Sequence, residues 1–122
     1  MAARLESRGG DEYEKIALIY LADEFTDEAF RIRGVIRNIA DDPAERIDAV
    51  VRLYNNGRAL LETVVVRLDK EIIAPNDFAR LELTVPEDNK EFAGYAVEFK
   101  LREGGIIPYK DMRGQISNNS NP

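Results

Sequence analysis

The stretch that decides the fold is residues 47–68, IDAVVRLYNNGRALLETVVVRL, in which two apolar runs rich in β-branched residues flank the polar segment 55–58. Asn and Gly reach positive φ at low steric cost, and an Asn-Gly pair between apolar runs is a strong signal for a β-hairpin. Alternation along the first arm then assigns its faces. The face expected to pack inward carries Ile47, Ala49, Val51 and Leu53, and the other carries Asp48, Arg52 and Tyr54.

The rest of the chain also reads as short strands separated by turns. Period-two alternation predicts strands over 29–38, 78–85 and 95–101, and a last edge strand over 106–109, where Pro108 costs little. Residues 13–22 fit a helical stripe as well as a strand face, and the β-rich remainder favours a strand. In the second hairpin arm Glu62 breaks the alternation, which a β-bulge or a change of sheet would explain.

These strands, without βα alternation, predict one all-β domain, an antiparallel immunoglobulin-like two-sheet β-sandwich of about seven strands. We expect a flexible lead-in over residues 1–12, the sandwich over 13–110 and a disordered tail over 111–122. Tyr95, at the entry to the penultimate strand, stands where such sandwiches place a corner tyrosine whose hydroxyl binds nearby backbone.

Composition narrows the classes of function. The 122 residues carry 23 Asp+Glu against 17 Lys+Arg, a formal net charge of −6, which disfavours nucleic acid and anionic membrane surfaces as partners. There is no His and no Cys, so the usual general base, the thiol nucleophile and the preferred zinc ligands are missing. The serines, Ser7, Ser117 and Ser120, lie in the expected terminal segments. We therefore expect neither an enzyme nor a cofactor.

The sequence gives no sign of a membrane span. Its longest apolar run, residues 16–22, is much shorter than the roughly 20 residues that cross a bilayer, so we expect no direct membrane insertion. The first ten residues lack the apolar core of a secretory signal. We expect either a cytoplasmic protein or an extracytoplasmic one, of the cell envelope or periplasm, from which a signal or anchor has been removed.

Three arginines on one strand are the clearest candidate for ligand binding. Arg31, Arg33 and Arg37 share the face opposite the apolar residues of the strand at 29–38, and together they could grip an anionic ligand. Cross-strand partners such as Glu82 could equally neutralise them, and this structural interpretation is the stronger one. Residues 23–28, DEFTDE, read as an acidic connecting loop without the spacing of a calcium loop, so we expect solvated carboxylates there and no metal.

Two apolar strands at sheet edges are candidates for contact with another protein. The last strand carries Ile107 and Tyr109 and is guarded only by Pro108 and the charged pair after it, and the first strand has no internal charge. Exposed strand edges invite strand addition, so Ile107 and Tyr109 could dock a neighbouring domain or a second copy. The alternative is that both strands simply close the core.

Several short motifs resemble the FxLYD family, whose name records a Phe-x-Leu-Tyr-Asp strand end. The corresponding segment here is Val51-Arg52-Leu53-Tyr54-Asn55, and the other marks are Gly34-Val35-Ile36-Arg37-Asn38, Gly57, Ile73-Ala74-Pro75-Asn76 and Leu81. The sequence departs from the pattern at Val51, Asn55 and Asn76. The resemblance covers residues 30–100 and implies an immunoglobulin-like domain of bacterial or archaeal envelope lipoproteins and surface proteins. No ligand-binding or catalytic residue is carried over, because the marks (Gly34, Asn38, Leu53, Tyr54, Gly57, Pro75) are turn and core positions, to which we add Tyr95 as structural.

The leading hypothesis is therefore a non-catalytic interaction or spacer module of the bacterial cell envelope that contacts another protein or a neighbouring domain. The second is an anion or small-ligand binding domain that uses Arg31, Arg33 and Arg37. A catalytic domain based on paired carboxylates comes third, because a small sandwich without Trp is poorly suited to a sugar groove. The oligomeric state is left open.

Overall fold

The structure is a computed structural model of the chain, and it describes residues 14–86 and 92–113. Within those residues ten strands form, which are β1 (Ile16–Phe25), β2 (Ala29–Asn38), β3 (Ala44–Glu45), β4 (Ile47–Tyr54), β5 (Leu60–Arg67), β6 (Ile72–Ile73), β7 (Phe78–Pro86), β8 (Gly94–Leu101), β9 (Ile106–Ile107) and β10 (Lys110–Asp111). The first sheet has the strand order β10-β1-β2-β7, the second sheet has the order β5-β4-β8-β9, and β3 pairs with β6. All paired strands are antiparallel except β10, which runs parallel to β1. The predicted all-β, immunoglobulin-like two-sheet sandwich is confirmed.

The core lies between the inward faces of the two sheets. The predicted inward face of β4 is confirmed, since Ile47, Ala49, Val51 and Leu53 are all buried. They belong to one apolar cluster with Phe30 and Ile32 of the first sheet and Phe99 of β8. Burial of a Val, Leu or Phe side chain stabilises the fold by roughly 1.5–3 kcal/mol. The hairpin arm is thus the centre of the second layer.

Gly34 of β2 lets the first sheet pack closely. A Cβ atom at this position would lie 3.2 Å from a methyl group of Leu81 and 3.3 Å from one of Leu21. These distances are shorter than ordinary van der Waals contacts, so any larger side chain would push the neighbouring leucines away. The glycine is therefore a structural residue, in agreement with its place among the motif residues.

Asp48 lies on the outward face of β4, as predicted, but its side chain is only 5% exposed. Arg102, which follows β8, covers it: Nη2 donates to Asp48 Oδ1 at 2.9 Å, and Nη1 donates to Glu71 Oε1 at 2.7 Å. Hydrogen bonds to Glu71 and Asp48 raise the pKa of Arg102, and the bond from Arg102 lowers the pKa of Glu71. This network ties one end of the second sheet to the segment before β6.

The hairpin turn forms where it was predicted. Arg58 N–H donates to Asn55 O at 3.0 Å, and Asn55 Oδ1 accepts from the N–H groups of Gly57 and Ala59 at 2.8 and 2.9 Å. The residue at positive φ is Arg58, at 69°, whereas none of the glycines in the described part of the chain has positive φ. In this turn the left-handed position is therefore taken by the last of its four residues, and not by Asn or Gly, the residues that reach positive φ at the lowest steric cost.

The irregularity at Glu62 is a β-bulge. The β4–β5 register shifts between Leu53, which faces Glu62, and Tyr54, which faces Leu60. Leu61 is the extra residue, so Leu60 and Thr63 both come to the outward side although their parity differs. Of the two explanations offered by the sequence, the bulge is confirmed.

Asn38 and Pro75 hold the corner between β2 and β7. The Asn38 side chain is fully buried, and its Nδ2 donates to Asp42 O and Ile73 O, both at 2.8 Å, while its Oδ1 accepts from Ala40 N–H at 2.8 Å. The next turn has Pro75 at its second position and Asn76, with φ of 68°, at its third, closed by a 3.0 Å bond from Asp77 N–H to Ala74 O. Proline followed by a residue at positive φ is typical of a type II turn. Both residues are structural, as expected.

The first and last strands correct two expected boundaries. Residues 16–25 form one strand, so the helical alternative is wrong, and Asp23 and Glu24 belong to β1 rather than to a loop because they pair with Ile32 and Arg31. The expected tail begins too early, since Asp111 pairs with Leu18 and Met112 N–H donates to Leu18 O at 2.9 Å. The expected lead-in, 1–12, and the rest of the expected tail from 114 lie outside the described residues.

Candidate interaction surfaces

The three arginines lie together on the outer face of the first sheet, as predicted. Arg31 and Arg33 are exposed and Arg37 is half-buried. Across the sheet, Arg33 faces Glu82 of β7, which is the partner suggested by the sequence. The two side chains are not joined by an ion pair in the described structure, so register alone does not neutralise this arginine.

Arg37 has a separate structural role. Its Nη2 donates to Asn76 Oδ1 at 3.2 Å, and its guanidinium carbon lies 5.7 Å from the centre of the Phe78 ring. A guanidinium at this distance over an aromatic face is attracted by the ring's electrons. Arg37 therefore holds β2 to the turn before β7 and is poorly placed to bind a ligand together with the other two.

Arg31 and Arg33 line a cleft of about 180 Å³, together with Ile32, Glu82, Leu83 and Thr84. Neither guanidinium has a hydrogen bond or an ion pair with a described residue. By contrast, Arg52, Arg102 and Arg113 are each joined to a carboxylate. Within the described part of the chain, this part of the predicted arginine site is therefore open to an anion.

Ile107 and Tyr109 face the interior of the sandwich. Ile107 pairs with Phe99 and packs against the core, and the Tyr109 ring meets the Phe99 ring edge-on at 5.3 Å. The Tyr109 hydroxyl also donates to Val97 O at 3.3 Å. These contacts match the alternative in which the last strand closes the core, and a docking role for the two residues stays a prediction.

An apolar cleft of about 350 Å³ opens beside Ile107. Its walls are Ile16, Pro43, Ala44, Ile47, Leu101, Ile107 and Pro108, and Lys15 and Glu45 stand at its rim. Ile16 and Ile47 are core residues, whereas Leu101 is 45% exposed. The cleft is thus an opening in one end of the sandwich that leads towards the core.

The sequence did not identify β5 as an exposed edge. This strand is the outermost member of the second sheet, and three of its apolar side chains, Leu60, Leu61 and Val65, are 53, 39 and 57% exposed. From Thr63 to Val66 the strand carries no charge. The uncharged apolar run was a visible signal, but the order of strands in the sheet, which makes β5 an edge, was not.

Tyr95 joins the two sheets, which corrects its expected role. Its hydroxyl donates to Asp23 Oδ2 of β1 at 2.9 Å and not to nearby backbone, and its ring meets Phe30 edge-on. Burial, followed by the hydrogen bond and charge of Asp23, raises the pKa of Tyr95 to about 12. The tyrosine is structural, but it acts across the sandwich.

The described residues offer little for metal chemistry. Across 14–86 and 92–113 no three acidic side chains come together in a way that could hold a metal ion. No helix among these residues is long and apolar enough to span a membrane. What the arrangement does provide is a pair of guanidinium groups without a partner among the described residues, an apolar cleft and an apolar strand edge.

Comparison with known proteins supports the fold alone. No protein-family model matches the sequence, and no curated protein matches it. Among solved structures, β-glucosidase 3B from Thermotoga neapolitana, in complex with glucose and in complex with glycerol, is similar with a TM-score of 0.50 and 16% identity. The match covers 77% of this chain but 15% of the β-glucosidase chain. At this identity the chain is similar to one part of a much longer protein in fold, and the resemblance to the FxLYD family stays a prediction.

Proposed function

We propose that this domain is a non-catalytic interaction or spacer module of the bacterial cell envelope that contacts another protein or a neighbouring domain. The observation that carries the proposal is the outer edge of β5, where Leu60, Leu61 and Val65 are exposed and no strand of the described residues pairs. An apolar strand edge of this kind accepts an added strand from a partner.

The position of the charges on β5 supports this function. Natural edges are protected by charged side chains, proline or bulges. Here the bulge and Glu62 protect the start of the strand, whereas the segment from Thr63 to Val66 has no such protection before Arg67. A partner strand would therefore pair with the second half of β5, where Val65 points outward.

The envelope location rests on the motifs shared with the FxLYD family. Leu53 is in the core, Asn38 holds a buried corner, and Pro75 and Asn76 form the turn after β6. Each of these marks has a structural role in this chain, which favours a common fold and leaves the binding surface to other residues. The absence of His and Cys from the sequence supports a role other than catalysis.

Site-specific photo-cross-linking in the native host tests the proposal. A benzophenone amino acid at Val65 is expected to give a discrete cross-linked product, because the partner strand would lie beside it. The control position is Ile72, which is equally apolar and 60% exposed but lies outside the second sheet. A chain labelled at Thr63, which lies in the same unprotected segment, should also give the product, and the addition of Val65→Lys should remove it. Equal products from Val65 and Ile72, or none from either, would contradict a docking role for β5.

The second candidate function is binding of an anion or small ligand on the face that carries Arg31, Arg33 and Arg37. The specific observation in its favour is that Arg31 and Arg33 line one cleft without a bonded carboxylate from the described residues. Guanidinium groups bind carboxylates and phosphates through two parallel hydrogen bonds. Arg37, held by Asn76 and Phe78, would contribute charge rather than direct contacts.

A further inference from the structure

The spacing of Arg31 and Arg33 favours an anion with two separated charges. The two residues are separated by one position on β2, so their side chains leave the same face of the sheet about 6.6–6.8 Å apart along the strand. A ligand with two negative groups at a similar separation can give each guanidinium its own partner. The two side chains then bind without having to converge on one small anion.

The charges on this face favour an acidic ligand. The outer face of β1, β2 and β7 carries the basic residues Arg31, Arg33, Arg37 and Arg80 and the acidic residues Glu24 and Glu82. The face is therefore positive within a chain of net charge −6. Clustered charge of one sign attracts a ligand of the opposite sign and raises its association rate.

From this geometry we infer that the cleft of Arg31, Arg33 and Thr84 binds an extended acidic segment of a partner protein, with carboxylates at alternate positions. In an extended peptide every second side chain points the same way, at the same 6.6–6.8 Å repeat. One Asp or Glu would meet each guanidinium, and the Thr84 hydroxyl, which lies across from Arg31, adds a hydrogen-bond donor. The inference deepens the second candidate function, on which it rests, by naming the ligand class.

Glu82 gives the site a feature that a general basic surface would lack. Its carboxylate lines the cleft opposite Arg33 and repels a bound acidic residue. Replacing this carboxylate with an amide of the same shape should therefore strengthen binding of an acidic peptide. Removal of Arg31 or Arg33 should weaken it.

The test uses a hexaglutamate peptide as the probe and the ¹⁵N-labelled full chain, with chemical shifts followed at low and at physiological ionic strength. Shift changes should be confined to amides of residues 31–33 and 82–84. Arg31→Gln and Arg33→Gln should each weaken binding by about tenfold, the effect of losing one charge-assisted contact. Glu82→Gln should tighten it. Arg67→Gln, the same charge change on an exposed arginine of the other sheet, is the control and should have no effect.

The other outcomes distinguish failure of the peptide ligand from failure of the second candidate function, anion binding. If inorganic phosphate binds the cleft as tightly as hexaglutamate, the site is a simple anion site, which contradicts the peptide ligand but supports the second candidate function. If neither probe shifts these amides, both are wrong. If Arg67→Gln weakens binding as much as Arg31→Gln, the peptide responds to net charge and the cleft is not a site.

Discussion

Replacement of Asn38 by Asp tests directly what holds the corner of the sandwich together. The two side chains have the same shape, so the change leaves packing intact and alters only the hydrogen-bonding groups. In the structure Asn38 Nδ2 donates to Asp42 O and to Ile73 O, and Oδ1 accepts from Ala40 N–H, all at 2.8 Å. An ionised aspartate accepts hydrogen bonds only, so it keeps the bond from Ala40 and places a negative oxygen against two carbonyl groups.

The magnitude follows from the bonds that are lost. Each lost hydrogen bond that leaves a buried group unsatisfied costs about 1–3 kcal/mol. Two such losses at a fully buried position predict that Asn38→Asp lowers the free energy of unfolding by about 2–6 kcal/mol at neutral pH. A protonated carboxyl regains one donor, so only one of the two bonds stays lost in acid and the loss should fall to about half, about 1–3 kcal/mol.

The direction of the pH dependence follows from the same hydrogen bonds. The folded variant holds the protonated carboxyl better than the ionised one, so the pKa of the new carboxyl is raised in the folded state above its ordinary value in the unfolded chain. Because the folded-state pKa is the higher one, the folded variant binds a proton that the unfolded chain has released between the two values. The stability of the variant relative to wild type therefore falls as the pH rises from about 4, the ordinary pKa of aspartate, to the raised pKa of the folded state, and is constant above it.

Urea denaturation followed by far-ultraviolet circular dichroism, at pH 4 and pH 7, measures both quantities. Wild type is measured at each pH, so that the titration of other carboxyls cancels. Asn55→Asp is the control, because Asn55 Oδ1 only accepts bonds, from Gly57 N–H and Ala59 N–H, and a carboxylate can do the same. We expect the control to be within about 0.5 kcal/mol of wild type. A loss for Asn38→Asp that is equal at both pH values, or equal to that of the control, would refute the assignment of Asn38 as a buried donor.

Three further predictions concern the core, the turn and the contact between sheets. Leu53→Ala should lower the free energy of unfolding by roughly 2–4 kcal/mol, because it leaves a cavity at a fully buried position. Tyr54→Ala, on the other face of β4, should cost clearly less. Equal costs in urea denaturation would mean that the inward and outward faces of β4 are wrongly assigned. Arg58→Gly should raise the melting temperature, with a gain of up to about 1 kcal/mol, because glycine adopts the 69° φ without strain; a lower melting temperature would contradict this. Tyr95 should ionise near pH 12, which an ultraviolet titration of the tyrosines measures. Because its pKa is raised on folding, the stability of wild type should fall as the pH rises from about 10 towards 12, and that of Tyr95→Phe should fall less. Ordinary ionisation of every tyrosine would exclude the bond to Asp23.

The parts of the fold that the sequence predicted are those set by local alternation. Successive side chains of a strand point to opposite faces, so neighbouring residues in the sequence are enough to assign the faces. The buried face of β4, with Val51 and Leu53, and the arginine face of β2 were predicted in this way. The hairpin was predictable for the same reason, because its turn residues are adjacent in the chain. The break in alternation at Glu62 even marked the position of the bulge.

The parts that the sequence did not predict depend on contacts between distant residues. Asp48 was correctly assigned to the outward face of β4, yet it is buried because Arg102 reaches it from 54 positions further along the chain. Likewise, the bond from Tyr95 to Asp23 spans 72 positions and requires the first strand to continue through a segment that looks like an acidic loop. Alternation predicts the face of the strand on which a side chain lies. Whether that side chain is exposed to solvent depends on the residues from elsewhere in the chain that pack over that face.

The same distinction explains why the candidate site could be predicted only in part. Parity placed Arg31, Arg33 and Arg37 on one face, but it could not rank them, since all three have the same parity and the same charge. The guanidinium of Arg37 contacts Asn76, in the turn before β7, and Phe78, the first residue of β7. Arg31 and Arg33 lie opposite other residues of β7 and have no bonded partner among the described residues. Which arginines can bind a ligand is therefore a property of the strand that pairs with β2, and the prediction becomes possible only once the β2–β7 register is known.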